Sequence, residues 1–289
     1  MENFSLSFEA IGTQWVIDCF NSFVKKEKIL NILLDRSDSF DKTYSRFRED
    51  SLISEISKKK GRYNFPQDSQ MLFALYDKLY KITDGKFTLL IGNTLSEAGY
   101  DKNYSLKPGF IEKVPKDSEV YSWKYPVLTV EKPYILDFGG LGKGYLIDIF
   151  SNLLKENGIN SFCVDGGGDM YCSNLSEPLR VGLENPNENK QVIGVIDINN
   201  KSIAASSGNR RKWSKYHHII DPDTLNSPDA VLASWAIAKD AITADGLATC
   251  LFLVSPQKLE KYFDFEYFIL RPDFTFEKSK NFSAELYLK

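Results

Sequence analysis

The chain has 289 residues, 43% hydrophobic and 26% charged, with 36 basic against 39 acidic side chains and a net charge of -3. This is ordinary globular composition, and it lacks the basic excess that a nucleic-acid partner demands. No apolar run reaches the ~18 residues of a membrane-spanning helix, so no transmembrane segment is expected.

In chain order, Met1-Glu2-Asn3-Phe4 carries no basic start, apolar core or lipidated cysteine, which predicts a cytoplasmic location. Residues 4–20 alternate as a hairpin, Phe4, Leu6 and Phe8 on one face and Trp15, Ile17 and Cys19 on one face after a Gly12-Thr13 turn. A helix follows from about Lys25, and a second spans Asp68 to Asp84 with Gly85 as its stop. Residues 99–126 have no period and read as irregular connection. Short strands are expected at Val127–Val130 and Tyr134–Leu136, then a helix from about Gly144 to Asn157. Strands at Ser161–Val164, Leu179–Leu183 and Val192–Ile198 precede a last helix over about Lys239 to Leu253. Strands and helices mix without strict alternation, which predicts α+β, with mixed or antiparallel sheets and packed helices. Residues 1–289 read as a single domain, in which two intimate subdomains could meet near the irregular connection. The four cysteines, Cys19, Cys163, Cys172 and Cys250, form no CxxC pair and are expected as separate buried thiols.

Three constellations carry chemistry. The run Asp137-Phe138-Gly139-Gly140-Leu141-Gly142-Lys143-Gly144 sits between an expected strand and helix. Its glycines permit a tight turn, and the helix start and Lys143 favour an anion. The spacing is neither GxxxxGK[ST] nor GxGxxG, so a structural glycine turn stays open beside a phosphate site. A second cluster, Asp165-Gly166-Gly167-Gly168-Asp169, permits close backbone approach to a ligand or to a neighbouring strand. In the late helix, Asp245 and Thr249 are spaced i, i+4 and project from one side. Two oxygen donors without histidine or thiol suit magnesium, which keeps waters and substrate phosphates as its other ligands. Alternatively, Asp245 pairs with a lysine and Thr249 bonds back to its helix. Asp240 reads as that helix's N-cap. Of the two histidines, His217 and His218, the second could orient a ligand or act as a base, and either could be structural. Ala204-Ala205-Ser206-Ser207-Gly208-Asn209 reads as a small-residue turn that would permit close backbone approach.

Taken in order, Ile11-Gly12-Thr13, Tyr44–Ser51, Asp84-Gly85-Lys86-Phe87, Asp137–Asp148, Asp165–Asp169, Ala205–Gly208, His218–Pro222 and Ala244–Thr249 resemble the ApbE family of FAD:protein FMN transferases, from roughly Phe8 to Pro256. The resemblance implies a T-fold-related α+β architecture. It also implies Mg2+ held by Asp245, Thr249 and the Gly140 carbonyl, bridging the diphosphate of FAD. Asp137, Lys143 and His218 would contact or orient FAD, Ile11 and Phe47 would flank its rings or its adenosine, and Lys86, Phe87 and Thr88 would lie along it. His218 and Asp245 would be the catalytic residues. A Thr or Ser hydroxyl of an acceptor protein would take FMN, and AMP would leave. The chain departs from the family where Phe-Asp-Pro-Thr becomes Phe87-Thr88-Leu89-Leu90, where Asp221-Pro222 is not followed by Thr-Gly, and where Ile11 replaces methionine. These departures keep two alternatives open: Mg2+-dependent FAD cleavage by water, and FAD binding without turnover.

Overall fold

The computed structural model describes residues 1–188 and 190–288. Its first hairpin joins β1 (Glu2–Ala10) to β2 (Thr13–Ser22). The turn residues are Ile11 and Gly12, both at positive φ (44° and 72°), rather than Gly12-Thr13. Two left-handed residues match the twist of the flanking strands.

Helical and irregular chain follows: α1 (Lys26–Tyr44), α2 (Leu52–Ile56), β3 (Gly61–Asn64), α3 (Ser69–Ile82) and α4 (Ile91–Glu97). The connection expected over 99–126 is only partly irregular. It ends in α5 (Asp117–Val120) and β4 (Tyr121–Lys124), and β4 pairs with β5 (Val127–Val130), which also pairs with β3. The strand expected at Tyr134–Leu136 does not form. That segment is held by single bonds instead, Ile135 N donating to Asn93 Oδ1 and Asp137 N to the Leu89 carbonyl.

Helix α6 (Gly139–Glu156) begins five residues before the expected Gly144, so most of the glycine run is helix rather than a turn ahead of it. Then come β6 (Ser161–Gly166), β7 (Asp169–Ser173), β8 (Leu179–Glu184), β9 (Val192–Ile198) and β10 (Lys201–Ser207). Ala204–Ser207, read as a turn, is the end of β10. Two short strands that pair with each other, β11 (Lys212–Trp213) and β12 (Tyr216–His217), lead to β13 (Ala233–Ala238) and α7 (Ala241–Cys250). The chain finishes with α8 (Pro256–Leu259), β14 (Glu266–Leu270), β15 (Phe276–Lys278) and β16 (Glu285–Leu286).

Among the described residues the main sheet has eight strands, β1-β2-β6-β7-β10-β13-β14-β15, and every neighbouring pair is antiparallel. The molecule is α+β. Helices α6 and α7 cover one face, where Phe150 meets Trp15 edge-on at 5.0 Å. On the other face Trp235, Ile237 and Phe268 pack with Val181, Leu183 and Ile196 of the smaller β8-β9-β16 sheet. Strand β13 shows the division: Trp235 and Ile237 enter one core, Ala236 and Ala238 the other, as a period of two requires. A third cluster joins Leu95 and Tyr100 to Trp213, Tyr216 and Ile220 beside the site. Cys163 and Cys172 stand opposite each other in the β6-β7 register and form a disulfide, which corrects the expectation of four separate thiols; Cys19 and Cys250 are free and buried.

Candidate active site at the crossing of two helices

The site exists because α6 and α7 approach unusually closely. A Cβ on Gly144 would lie 2.2 Å from the Ala241 carbonyl oxygen, and one on Gly246 would lie 2.4 Å from Leu141 Cδ2. Only glycine permits this contact. The start of α7 is secured by two carboxylates. Asp240 caps it by accepting from Thr243 N, and Asp148 of α6 accepts from the amides of Ala241 and Ile242, at 2.9 Å each. The crossing thereby fixes Asp245 against the first turns of α6.

Asp245 is 4% exposed, and its Oδ2 accepts from Gly144 N at 2.9 Å. Burial raises its carboxyl pKa, while Lys143 and the nearby amides act in the opposite direction. In a regular helix the Gly144 N–H serves the Gly140 carbonyl; its donation to Asp245 draws that hydrogen away. The second carboxylate oxygen, Oδ1, has no hydrogen-bond donor among the described residues, and the side chain lines a cleft. Thr249 lies one turn further along, its hydroxyl 3.4 Å from that of Ser206 on β10. The alternative in which Asp245 is consumed by a lysine does not hold: Lys143 is paired with Asp169, whose other oxygen accepts from Ala205 N.

This cleft is lined by Phe47, Lys86, Phe87, Thr88, Asp137, Gly140, Lys143, His218, Asp245 and Thr249. An adjoining cavity shares Phe47, Asp137 and Lys143 and adds Ile11. Every residue given a metal, ligand or catalytic role by the resemblance therefore borders one of two adjoining cavities. Asp137 is anchored on both sides, accepting from Arg46 Nε at 2.5 Å and from Gly139 N at 2.7 Å. Lys86 donates to Asp221 at 2.5 Å, which ties the Asp84–Phe87 segment to the His218–Pro222 loop and raises the ammonium pKa. Phe87 stacks on Tyr76 at 5.3 Å and covers the first turn of α6, where a Cβ on Gly140 would meet its ring at 2.8 Å. Thr88 donates to Asp117 at 2.9 Å. Phe47 stacks on Tyr104 at 5.4 Å, with the Arg46 guanidinium 4.2 Å from its centroid.

The two histidines separate cleanly. His217 is buried structure: its Nε2 is 2.9 Å from the Pro228 carbonyl, and its Nδ1 accepts from Ile219 N. His218 borders the cleft, and its Nδ1 is sealed without a partner. Burial, then the charges of Arg211, His217 and Lys143, push its pKa down to about 3. It is a neutral imidazole at pH 7.

Sequence reasoning quoted Thr13 and Ser206 in its motifs without giving them a site role and missed Tyr100, Arg210 and Arg211; all five line the first cavity. Arg210-Arg211 was visible as an adjacent basic pair just after Gly208-Asn209. Tyr100 sits in chain without periodicity and offered no signal.

A cleft walled by aromatic rings, floored by a buried carboxylate and rimmed by cations has the chemistry to take an anionic molecule that carries ring systems. No helix among the described residues is long and apolar enough to cross a membrane. The chain belongs to the ApbE family, whose model matches residues 6–267. It is 25% identical to an FAD:protein FMN transferase of Vibrio cholerae, over 89% of this chain and 83% of that one. The FAD:protein FMN transferase of Escherichia coli is 24% identical over 89% and 80% of the two chains. Among solved structures, the ApbE protein of Thermotoga maritima superposes with a TM-score of 0.85 at 22% identity, over 97% of this chain and 98% of that one. Flavin transferase ApbE from Vibrio cholerae gives 0.81 at 20% identity, over 99% and 98%.

Proposed function

We propose that this chain is a flavin transferase that moves FMN from FAD to a Thr or Ser hydroxyl of an acceptor protein, releasing AMP. The observation that carries the reading is Asp245, a buried carboxylate with one oxygen fixed by an amide and the other without a donor, facing a cation-lined cleft. Asp245, the Thr249 hydroxyl and the Gly140 carbonyl form an all-oxygen donor set suited to Mg2+, which leaves positions for diphosphate oxygens and water. When bound, the ion would supply charge neutralisation at the diphosphate and alignment of nucleophile and leaving group.

The chain's own residues do the rest. Phe47, with Tyr100 and Tyr104 around it, offers flat apolar faces for the ring systems. Lys143 sets a positive charge beside the start of α6, where helix amides already favour an anion. The anchored Asp137 carboxylate can accept from a hydroxyl or amine of the dinucleotide. His218, a weak base while burial and the Arg211 and Lys143 charges depress its pKa, would gain basicity when the diphosphate offsets those charges, and would then take the proton leaving the acceptor hydroxyl. The new bond joins that oxygen to the FMN phosphorus. The bond from this phosphorus to the bridging oxygen breaks, and its electron pair stays with AMP.

The test combines the chain with FAD, Mg2+ and a candidate acceptor domain, reading AMP by chromatography and flavin by fluorescence in denaturing gels. We expect AMP and labelled acceptor in equal amounts, and for Asp245→Ala a loss of at least about a hundredfold in AMP release. AMP formed without any labelled acceptor would show water to be the nucleophile. Undiminished turnover by Asp245→Ala would end the site assignment.

A further inference from the structure

The cations around the cleft are, with one exception, already matched to carboxylates. Lys86 pairs with Asp221, Lys143 with Asp169, Arg46 with Asp137 and Arg210 with Glu184. Arg211 forms no ion pair among the described residues, although its side chain borders both cavities. Its guanidinium lies 5.9 Å from the Tyr100 centroid, over the wall that the two cavities share. It also bears on the same space as His218 and Lys143 and opposes the charged form of each; burial is the larger cause at both, and at Lys143 the Asp245 carboxylate acts the other way. With the other rim cations paired and His218 neutral, Arg211 is the positive charge among the described residues still free to engage an anion in this volume. The side chain is exposed, and its place in the lining of both cavities puts it where the two adjoin.

We infer that Arg211 grips the diphosphate of the dinucleotide where the two cavities meet, and so sets the preference for a dinucleotide over an uncharged flavin. The inference rests on the flavin-transferase reading. A ligand with a ring system in each lobe must pass its linker through the junction, and in FAD that linker is the diphosphate. A guanidinium presents five N–H donors in a planar fork that fits phosphate oxygens two at a time, which a lysine does not. Arg211 is on the surface of the fold, away from the helix crossing, so its replacement leaves the core intact.

The experiment titrates FAD and, separately, riboflavin into the full chain with Mg2+ present, following flavin fluorescence at two salt concentrations. Arg211→Ala is expected to weaken FAD roughly tenfold to a hundredfold, to leave riboflavin binding unchanged and to flatten the salt dependence of FAD binding. Arg211→Lys should recover part of the FAD affinity, because charge survives while the fork is lost. FAD affinity equal to that of the unaltered chain, or equal losses for FAD and riboflavin, would overturn the assignment. Thermal melting of each variant checks the fold. If the unaltered chain fails to bind FAD, the functional reading falls and this inference with it. FMN transfer by the unaltered chain, alongside full FAD affinity in Arg211→Ala, ends the inference alone.

Discussion

At His218 burial and neighbouring charge act in the same direction, and the consequence can be measured without any ligand. The folded pKa is about 3 against an ordinary 6.5, so between these values the unfolded chain binds a proton that the folded chain refuses. Stability contributed at this position is present near neutral pH and is lost as pH falls below about 6.5. Asp148 works in the opposite sense. Burial raises its carboxyl from 3.8 to about 7 despite two amide donors, so acidification through that range favours the fold. Because the two effects oppose each other, the informative quantity is a difference. Relative to the unaltered chain, His218→Gln should gain stability on going from pH 7 to pH 4.5, read from urea midpoints at both values. Parallel pH dependence of the two proteins would mean that His218 takes up its proton freely when folded. Nothing in the His217-His218 dipeptide announced which ring was sealed; the distinction comes from the Pro228 carbonyl, which occupies one and not the other.

Between elements, the decisive feature is the α6-α7 crossing, and it rests on Gly144. A methyl group there would meet the Ala241 carbonyl at 2.2 Å and the Asp245 Cβ at 2.8 Å. Backbone oxygen cannot swing aside as a side chain can, so the helices must separate. Gly144→Ala should cost about 2–3 kcal/mol in denaturant unfolding, and it should reduce AMP release by displacing Asp245 from its amide. Gly142, two residues earlier in the same helix, is the matched control. A Cβ there has nothing within 4 Å, so Gly142→Ala should be neutral or stabilising by up to about 1 kcal/mol. Equal destabilisation by both substitutions would refute the crossing argument. The same run explains a boundary that sequence reasoning misplaced. Gly139 to Gly144 contains four glycines in six residues, which reads as a turn by local preference, yet tertiary packing carries the helix through it. Strands β13 and β14 escaped notice for a related reason. Both are buried on two faces by the helices and the smaller sheet, so they lack the alternation that reveals a half-exposed strand. The first hairpin and β9 kept that alternation and were legible.

Across the whole molecule, the residues that the sequence singled out converge although they are spread from Ile11 to Thr249, and it was their order along the chain, not any single motif, that made the site readable. Tyr100 was not readable, and Arg211 only as half of a basic pair, since both border the cleft through the way chain distant in sequence packs around it. That convergence has a thermodynamic corollary. If one cleft holds both Mg2+ and FAD, with the diphosphate contacting ion and protein at once, each ligand must strengthen the other's binding by the same factor. A ligand present at a hundred times its Kd stabilises the native state by about 2.7 kcal/mol, a shift of a few degrees in the melting midpoint of a chain this long. FAD and Mg2+ added together should therefore raise the midpoint by more than the sum of their separate effects. In Asp245→Ala the excess should vanish, while any rise from FAD alone should remain, because the aromatic wall and the rim cations are untouched. Differential scanning fluorimetry with a dye that does not overlap flavin emission, or calorimetry, reads all four conditions. Additive shifts in the unaltered chain would mean that ion and dinucleotide occupy separate places, and that the carboxylate at the helix crossing serves something other than the diphosphate.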